Sequence, residues 1–280
     1  LGLILVDTPD GLHLPLKELA TFKVSSGAVN ISRESGSRVK AVGVFIKGRD
    51  MGSVVADMKA KVKELNFPPG INLDRFDPAI VRADRLIRLA GELRIPDGSH
   101  LVLCPARFDE DRGQRILVEA MKALGRDDVF CLLLGSAGAP TLFEKELERH
   151  IERATLLGKV QIGPYVDDMP AAYMLADVVV TLGGPSQGFS RALIEAQAMG
   201  RPVVTEEGGG AAEAVLAGTT GWLARPHDPQ SLADSLAAAL ALSVTQRAEL
   251  ARAAQEQVHR RYDLAQSNKR LLALLHRVSG

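Results

Sequence analysis

The clearest pattern along the chain is an alternation of short apolar runs with longer amphipathic segments, from about Asp84 to Tyr262. The apolar runs are typical of buried strands, and segments with apolar residues every three or four positions are typical of helices. Strands and helices alternating at this spacing predict an α/β fold with a parallel sheet covered on both faces. Ligands of such sheets bind at the carboxyl ends of the strands, so a site is expected there.

This pattern predicts a set of elements with approximate limits. The predicted strands are His100 to Cys104, Val129 to Leu134, Lys159 to Ile162, Asp177 to Thr181, Pro202 to Thr205 and Gly221 to Ala224. The predicted helices are Asp84 to Leu93, Gly113 to Leu124, Leu142 to Leu156, Pro170 to Leu175, Ser190 to Met199, Ala211 to Ala217, Pro229 to Leu242, Thr245 to Tyr262 and Ala265 to Val278.

The pattern before Asp84 is weaker. It predicts a strand at Leu3 to Val6, a turn at Pro9 to Gly11, a helix at Leu12 to Phe22, a strand at Arg38 to Phe45 and a helix at Met51 to Leu65. The following PPGINLDRFDP is rich in proline and is interpreted as an interdomain linker. A length of 280 residues suggests two domains. The part before the linker is short for a domain, so the chain is interpreted either as a fragment or as having a reduced first domain.

The stretch from Thr181 to Glu207 combines two predicted strands, a loop of glycine, proline and serine, and the helix between them. Gly200 stands where this helix is expected to end. A helix entered from such a loop directs free backbone N–H groups and the positive end of its dipole toward the loop. An anionic group, and first of all a phosphate, is the expected ligand there.

Within this stretch, Gln187 and Glu195 stand eight positions apart. The wording PSQGFSRALIEAQAMGRPV resembles the E-x7-E element of the family 4 glycosyltransferases, usually close to PE-x-FGR-x-x-x-EAQAMG-x-PV. It departs from that wording at Gln187, where the family has an acidic residue, and at Ser190, where the family has glycine. The proline-rich segment is similar to the family's P-x-GID-x-x-x-FDP, so the resemblance reaches both sides of it.

The resemblance implies a GT-B fold, an α/β architecture of two Rossmann-like domains with parallel sheets and a terminal helix that crosses back onto the first domain. Residues 1–75 would form an incomplete acceptor-side domain with the linker. Residues 76–262 would form the domain that binds the nucleotide sugar, and residues 263–280 the helix that packs toward the first domain.

Loops at the strand ends would supply the donor site. PARFDEDRG is similar to the family's GR-x-x-x-x-KG, so Arg107 and Arg112 would grip the donor diphosphate through guanidinium groups suited to phosphate oxygens. Either arginine alone would be interpreted as a solvated surface residue. The loop around Tyr165 would lie against the nucleotide base. The resemblance implies further donor contacts from Gly188, Phe189, Ser190, Arg191, Glu195, Gly208 and Gly209, with Glu195 accepting hydrogen bonds from the ribose.

Two positions are candidates for the chemical step. Gln187 would meet the donor sugar in place of the family's carboxylate. Asp10 stands where the family often has a histidine near the donor sugar, and His13 is a weaker candidate for that part. An amide can still accept a hydrogen bond but carries no charge to offset a positively charged transition state.

The implied activity is transfer of a sugar from a nucleotide-diphosphate donor to a saccharide or lipid-linked acceptor, with retention and without a metal or other cofactor. Resemblance to bacterial members with the DMPAAY wording implies lipopolysaccharide or cell-surface polysaccharide synthesis. The alternative is a catalytically impaired relative that binds nucleotide sugar or acts as a non-catalytic partner subunit. A nicotinamide-dependent enzyme fits less well, because CPAR replaces G-x-G-x-x-G after the strand at His100 to Cys104.

Composition argues against a nucleic-acid partner and indicates the compartment. Lys plus Arg and Asp plus Glu are both 34, and aromatic residues make up 4%, so neither charge nor stacking favours nucleic acid. Cys104 and Cys131 lie in apolar runs and are interpreted as small core residues of a reducing compartment. A cytoplasmic location is therefore expected. The resemblance leaves peripheral contact with the inner membrane open, although the neutral charge balance provides no polybasic anchor.

Overall fold

The structure is a computed structural model that describes residues 70–183 and 189–269, together with the backbone of four short strands nearer the start of the chain. The chain divides into two compact units, Leu1–Asn66 and Phe67–Gly280. The domain limits suggested by the sequence stay predictions.

The described strands of the first unit form two antiparallel pairs. β1 (Leu5–Asp7) pairs with β2 (His13–Pro15), and β3 (Ser32–Glu34) pairs with β4 (Ser37–Val39). The helix predicted from Leu12 to Phe22 is wrong at its start, because His13–Pro15 form strand β2. Only five residues separate β1 from β2, which allows the chain to reverse, whereas a parallel crossover needs a dozen or more. The predicted strand from Arg38 is present at its first two residues; its remainder and the helix predicted at Met51 to Leu65 lie outside the described residues.

The second unit is built on a six-stranded sheet in which every pairing is parallel. Its spatial order is β10-β9-β8-β5-β6-β7. The chain runs outward from β5 to β7 and then returns to the other side of β5, so the strand order reverses between β5 and β8. The strands are β5 (His100–Pro105), β6 (Val129–Ser136), β7 (Val160–Pro164), β8 (Val178–Thr181), β9 (Val203–Glu206) and β10 (Gly221–Ala224).

The helices of the second unit match the predicted positions closely. The exception is the helix predicted at Ala211 to Ala217, where the structure has only a four-residue helix that begins at Gly209. The helices are α1 (Ala83–Glu92), α2 (Gln114–Leu124), α3 (Leu142–Arg153), α4 (Met169–Leu175), α5 (Arg191–Ala198), α6 (Gly209–Ala212), α7 (Pro229–Leu240) and α8 (Val244–Tyr262). Residues 264–269 are also helical, and the rest of the last predicted helix lies outside the described residues.

Two apolar clusters cover the two faces of the sheet, as the continuous apolar strands predict. Along β5, Leu101 and Leu103 belong to the cluster that includes residues of α1, α4, α5 and α8. Val102 and Cys104 belong to the opposite cluster, with residues of α2, α3 and α7. Alternation of side chains along one strand therefore serves two buried faces. The predicted α/β fold with a parallel sheet is confirmed in this unit.

Local sequence signals explain where several helices begin and end. Asp168 caps α4 by accepting a hydrogen bond from the Ala171 N–H at 3.2 Å, and Pro170 stands in the first turn. Thr141 and Glu144 form a capping box at the start of α3. Gly200 follows α5 with a φ of 68°, a left-handed conformation that favours glycine.

The proline-rich segment contributes to the core of the second unit. Ile71 and Phe76 are 3% and 7% exposed and belong to the first cluster. Ile71 donates its N–H to the Tyr262 carbonyl at 2.8 Å, and its own carbonyl accepts from the Leu264 N–H at 3.1 Å. A Cβ on Gly70 would approach the Leu264 Cα to 2.5 Å. The linker interpretation rested on composition, which does not record this pairing with the distant end of α8.

Candidate functional site

A pocket of about 210 Å³ opens at the carboxyl ends of β5, β8 and β9, where the strand order reverses. This is the position at which open parallel sheets bind their ligands. Its wall is formed by the ends of these strands, the turn before α2 and the beginnings of α5 and α6. The lining residues are Pro105, Ala106, Arg112, Thr181, Leu182, Gly183, Phe189, Ser190, Arg191, Ala192, Thr205, Glu206 and Ala211.

Of the two arginines after β5, Arg112 lines the pocket and Arg107 does not. Asp109 caps the short 3-10 helix Glu110–Arg112, and its Oδ2 lies 3.6 Å from the Arg112 Nε. The Arg107 side chain is 68% exposed, against 32% for Arg112. Its backbone carbonyl accepts a hydrogen bond from the Gln114 side chain at 2.7 Å. The turn therefore presents Arg112 to the pocket.

Gly113 allows this turn to lie against the end of β8. It caps α2 with a φ of 67°, in the left-handed region that glycine adopts readily. A Cβ at this position would come within 2.5 Å of the Leu182 Cβ. A larger residue would therefore push the Arg112 turn away from the pocket wall.

The beginning of α5 forms the opposite wall. Ser190 is the N-cap in extended conformation and makes no side-chain hydrogen bond to the helix. Ser190, Arg191 and Ala192 all line the pocket, so free N–H groups and the positive end of the helix dipole lie beside it. The Phe189 ring packs on Tyr262, with centroids 5.5 Å apart, and so anchors the entry to α5 on α8.

Glu195 lies one turn further along α5 and does not line the pocket. Its Oε2 accepts a hydrogen bond from the Tyr173 hydroxyl at 2.9 Å. Burial raises the pKa of the Glu195 carboxyl, and the Tyr173 hydrogen bond and the charges of Arg191 and Arg75 oppose this shift. Burial, with the neighbouring carboxylate, raises the pKa of Tyr173 well above its ordinary value. Tyr173 is buried, and the sequence does not reveal its hydrogen bond to Glu195.

Glu206 is a pocket residue that sequence reasoning missed. It ends β9, is 3% exposed and lines the pocket together with Arg112 and Arg191. Its Oε2 accepts from the Gly183 N–H at 3.0 Å, and its Oε1 accepts from the His227 N–H at 2.9 Å. A carboxylate at the carboxyl end of an apolar strand was the signal that could have revealed it.

The remaining candidate residues lie around this edge of the sheet without lining the pocket. Tyr165 follows β7, is 64% exposed and donates its N–H to the Ser136 carbonyl at 2.6 Å. Gly208 caps α6 with a φ of 86°, and Gly209 is the first residue of that helix. Gln187, Gly188, Asp10 and the side chain of His13 lie outside the described residues. The structure thus brings together Arg112, Phe189, Ser190 and Arg191 of the predicted set.

Among the described residues, no group of three or more His, Cys, Asp or Glu side chains is arranged to hold a metal ion. Within the same residues, no helix is long and apolar enough to cross a membrane. Cys104 and Cys131 are buried and unpaired thiols, as their interpretation as core residues predicted.

Comparison with known proteins identifies the family. The model of the family described as glycosyl transferases group 1 matches residues 88–257, which is more than half of the chain. The chain belongs to the glycosyl transferases group 1 family. The assignment based on the motifs around Glu195 is therefore confirmed.

The relatives of this group 1 chain carry glycosyltransferase names. It is 35% identical over 178 residues to a D-inositol 3-phosphate glycosyltransferase of Xylanimonas cellulosilytica, covering 62% of this chain and 42% of the relative. It is 28% identical over 214 residues to the putative colanic acid biosynthesis glycosyltransferase WcaL of Escherichia coli, covering 74% and 49%. The chain thus spans less than half the length of these two relatives.

Solved structures support the same fold. A glycosyltransferase from Rickettsia africae superimposes with a TM-score of 0.72 at 26% identity, over 75% of this chain and 56% of that one. Anabaena HepE, in complex with UDP and glucose, superimposes with a TM-score of 0.66 at 26% identity, over 74% and 55%. The predicted GT-B-like α/β fold is confirmed by these neighbours.

Proposed function

We propose that the chain transfers a sugar from a nucleotide-diphosphate donor and that the pocket at the strand reversal binds the donor diphosphate. The observation that carries the proposal is the convergence of Arg112, Arg191 and the beginning of α5 on one pocket. Two guanidinium groups and a helix N-terminus suit an anion that gains charge as it leaves. The structure of Anabaena HepE with UDP-glucose supports UDP as the first nucleotide to test.

These groups would neutralise the leaving diphosphate without a metal ion. Preorganised donors in a site that excludes water stabilise developing charge more strongly than donors in bulk water do. Loss of one such donor elsewhere costs about 3 kcal/mol of transition-state stabilisation. We assign this part to Arg112, Arg191 and the backbone N–H groups of residues 189–191, with Arg107 contributing from the rim.

The remaining roles follow the family resemblance. Glu195 would accept hydrogen bonds from the ribose, and Tyr165 would lie beside the base. Gln187, Asp10 and the glycines near Gly208 would lie beside the donor sugar. The acceptor would be a saccharide or a lipid-linked saccharide, with retention of anomeric configuration. The relative named for colanic acid biosynthesis supports a part in the synthesis of cell-surface or lipopolysaccharide glycans.

Calorimetric titration of the chain with UDP, GDP and ADP tests the donor site. We expect one nucleotide to bind, and Arg112→Ala to weaken it roughly 10- to 100-fold, because a hydrogen bond to a charged group contributes about 1.5–3 kcal/mol. Arg107→Ala should weaken binding less, since that side chain lies outside the pocket lining. Arg153→Ala, on the exposed end of α3, is the matched control and should leave affinity unchanged.

Two results would contradict this proposal. The absence of binding by all three nucleotides would remove the donor site. Equal losses for Arg112→Ala and Arg153→Ala would show that a general effect of charge, and not the pocket, governs affinity.

The second candidate function is that of an impaired family member that binds nucleotide sugar or acts as a non-catalytic partner subunit. Gln187, in place of the family's carboxylate, favours it. If only this residue limits the chemistry, Gln187→Glu should raise the rate of nucleotide release from a nucleotide sugar while the nucleotide Kd stays within about twofold. Wild-type turnover as fast as that of the variant would exclude the impaired form.

A further inference from the structure

The buried hydroxyl of Tyr173 is unusual in its choice of partner. Tyr173 is 1% exposed and lies on α4, in the cluster beneath α5. A buried phenol commonly needs a hydrogen-bond acceptor, and a neutral backbone carbonyl would satisfy it. Here the acceptor is the carboxylate of Glu195, at 2.9 Å. Burying a carboxylate costs free energy, which the hydrogen bond from Tyr173 offsets in part.

The geometry leaves one carboxylate oxygen available. The Tyr173 hydroxyl holds Oε2, while Oε1 accepts no hydrogen bond from any described residue. Glu195 is partly exposed, so its carboxylate is not sealed within the core. Tyr173 therefore fixes one oxygen and leaves the other able to accept a hydrogen bond.

The tyrosine ring is itself held in place. Its centroid lies 6.2 Å from that of Phe76, and the Arg75 guanidinium lies 5.5 Å from the Phe76 centroid. Arg75 in turn donates to the Asp167 carbonyl at 3.0 Å, just before α4. Because these contacts involve the rings and not the hydroxyl, Tyr173→Phe should preserve the packing and remove only the hydrogen bond.

We propose that Tyr173 is a positioning residue that orients the Glu195 carboxylate to accept a hydrogen bond from the 2′-hydroxyl of the donor's ribose. This inference rests on the proposed function, because it takes a nucleotide as the ligand. A carboxylate held at one oxygen has fewer orientations to lose on binding, so its hydrogen bond to the ligand is formed at a lower entropic cost. Tyr173 touches no ligand and acts only through Glu195.

The test compares each ribonucleotide with its 2′-deoxy form by calorimetry, using UDP and 2′-deoxy-UDP first, and the guanosine or adenosine pair if UDP does not bind. We expect wild type to prefer the ribonucleotide by about tenfold or more, and Tyr173→Phe to reduce that preference to about threefold or less. Tyr262→Phe, which alters another buried tyrosine, is the matched control and should keep the wild-type ratio.

Each outcome decides the matter. An unchanged ratio in Tyr173→Phe, or equal weakening of both nucleotides, would overturn the proposal, because a purely structural tyrosine affects both forms alike. Wild type that binds nucleotides without a ribose preference would also overturn it. Wild type that binds no nucleotide would overturn the proposed function itself. If Tyr173→Phe fails to fold, Tyr173→Met, which also removes the hydroxyl, replaces it, and retention of the wild-type ratio there would contradict the proposal.

Discussion

The Cys104 thiol lies in β5 among the side chains beneath α2 and α7, and is 1% exposed. Burial in these apolar surroundings raises its pKa to about 12, and raises the pKa of Cys131 well above its usual value. Since the thiolate is the reactive form, both thiols are protected from reaction by staying protonated and by being inaccessible to reagents. They act as small apolar side chains.

We therefore expect neither thiol of the native protein to react with a disulfide reagent such as DTNB at pH 8 over an hour. In guanidinium chloride both thiols should react within minutes, because unfolding restores ordinary thiol pKa values and access. Spectrophotometric counting of released thiolate measures this, with glutathione as the reagent control. Rapid release of one equivalent from native protein would contradict the burial of these side chains.

The arginines at positions 107 and 112 show how far sequence reasoning reaches at a single residue. Both follow β5 within one turn, and the motif argument treated them alike. The difference arises from the cap at Asp109 and the left-handed Gly113, which direct Arg112 toward the pocket. Glu206 and the Tyr173 hydroxyl were missed for a related reason. Their partners are distant in sequence, and spacing along one element does not reveal them.

At the scale of elements, α1 and α4 are joined by one ion pair. The Arg85 Nε and Nη2 donate to the two Asp168 oxygens at 3.0 and 2.5 Å, while Asp168 also caps α4. Both side chains are 28% exposed. The Arg85 guanidinium, with the Ala171 N–H, lowers the pKa of Asp168. A carboxylate that both caps α4 and binds Arg85 should contribute more to the free energy of unfolding than an exposed ion pair does.

Asp168→Asn should lower the free energy of unfolding by about 1–2 kcal/mol at pH 7, through loss of the ion pair. Because the folded pKa of Asp168 is depressed, its contribution is fully present above the unfolded value of about 3.9 and is lost as pH falls through the folded pKa. The difference between wild type and variant should therefore shrink only below about pH 4. Urea unfolding at pH 7 and at pH 3 measures it.

Asp84→Asn is the matched control, since Asp84, in the first turn of α1, forms an exposed pair with the N-cap residue Arg82. It should change stability little at either pH. A difference for Asp168→Asn that stays constant down to pH 2 would contradict the assignment of this stability to the ionised carboxylate.

Element positions in the second unit were predictable because propensity, apolar periodicity and capping residues agree there. The predictions failed where a single local signal stood alone. Leu12 and the apolar residues after it resembled a weak helix, but His13–Pro15 pairs with Leu5–Asp7. The proline-rich segment resembled a linker, but Ile71 is tied to Tyr262. Both errors concern pairing partners, which a window of sequence does not contain.

At the scale of the whole molecule, the chain has no net charge at neutral pH, so it exerts no general attraction on an anionic donor. Under the proposed function, Arg112 and Arg191 would therefore act locally, within the roughly 8 Å over which charges interact appreciably at physiological ionic strength. The reversal of strand order brings these groups close together. It opens the crevice between β5 and β8, where helix starts and strand ends converge.

The tie between Ile71 and the end of α8 also concerns how the protein is made. The two partners of Ile71, Tyr262 and Leu264, follow it by about 190 residues. At a synthesis rate of roughly 5–20 residues per second, a ribosome would need about 10–40 s to produce them. Throughout that time the backbone N–H and carbonyl of Ile71 lack their native partners, and its side chain lacks part of the core that buries it. This corner of the second unit therefore closes only after most of the chain has been synthesised.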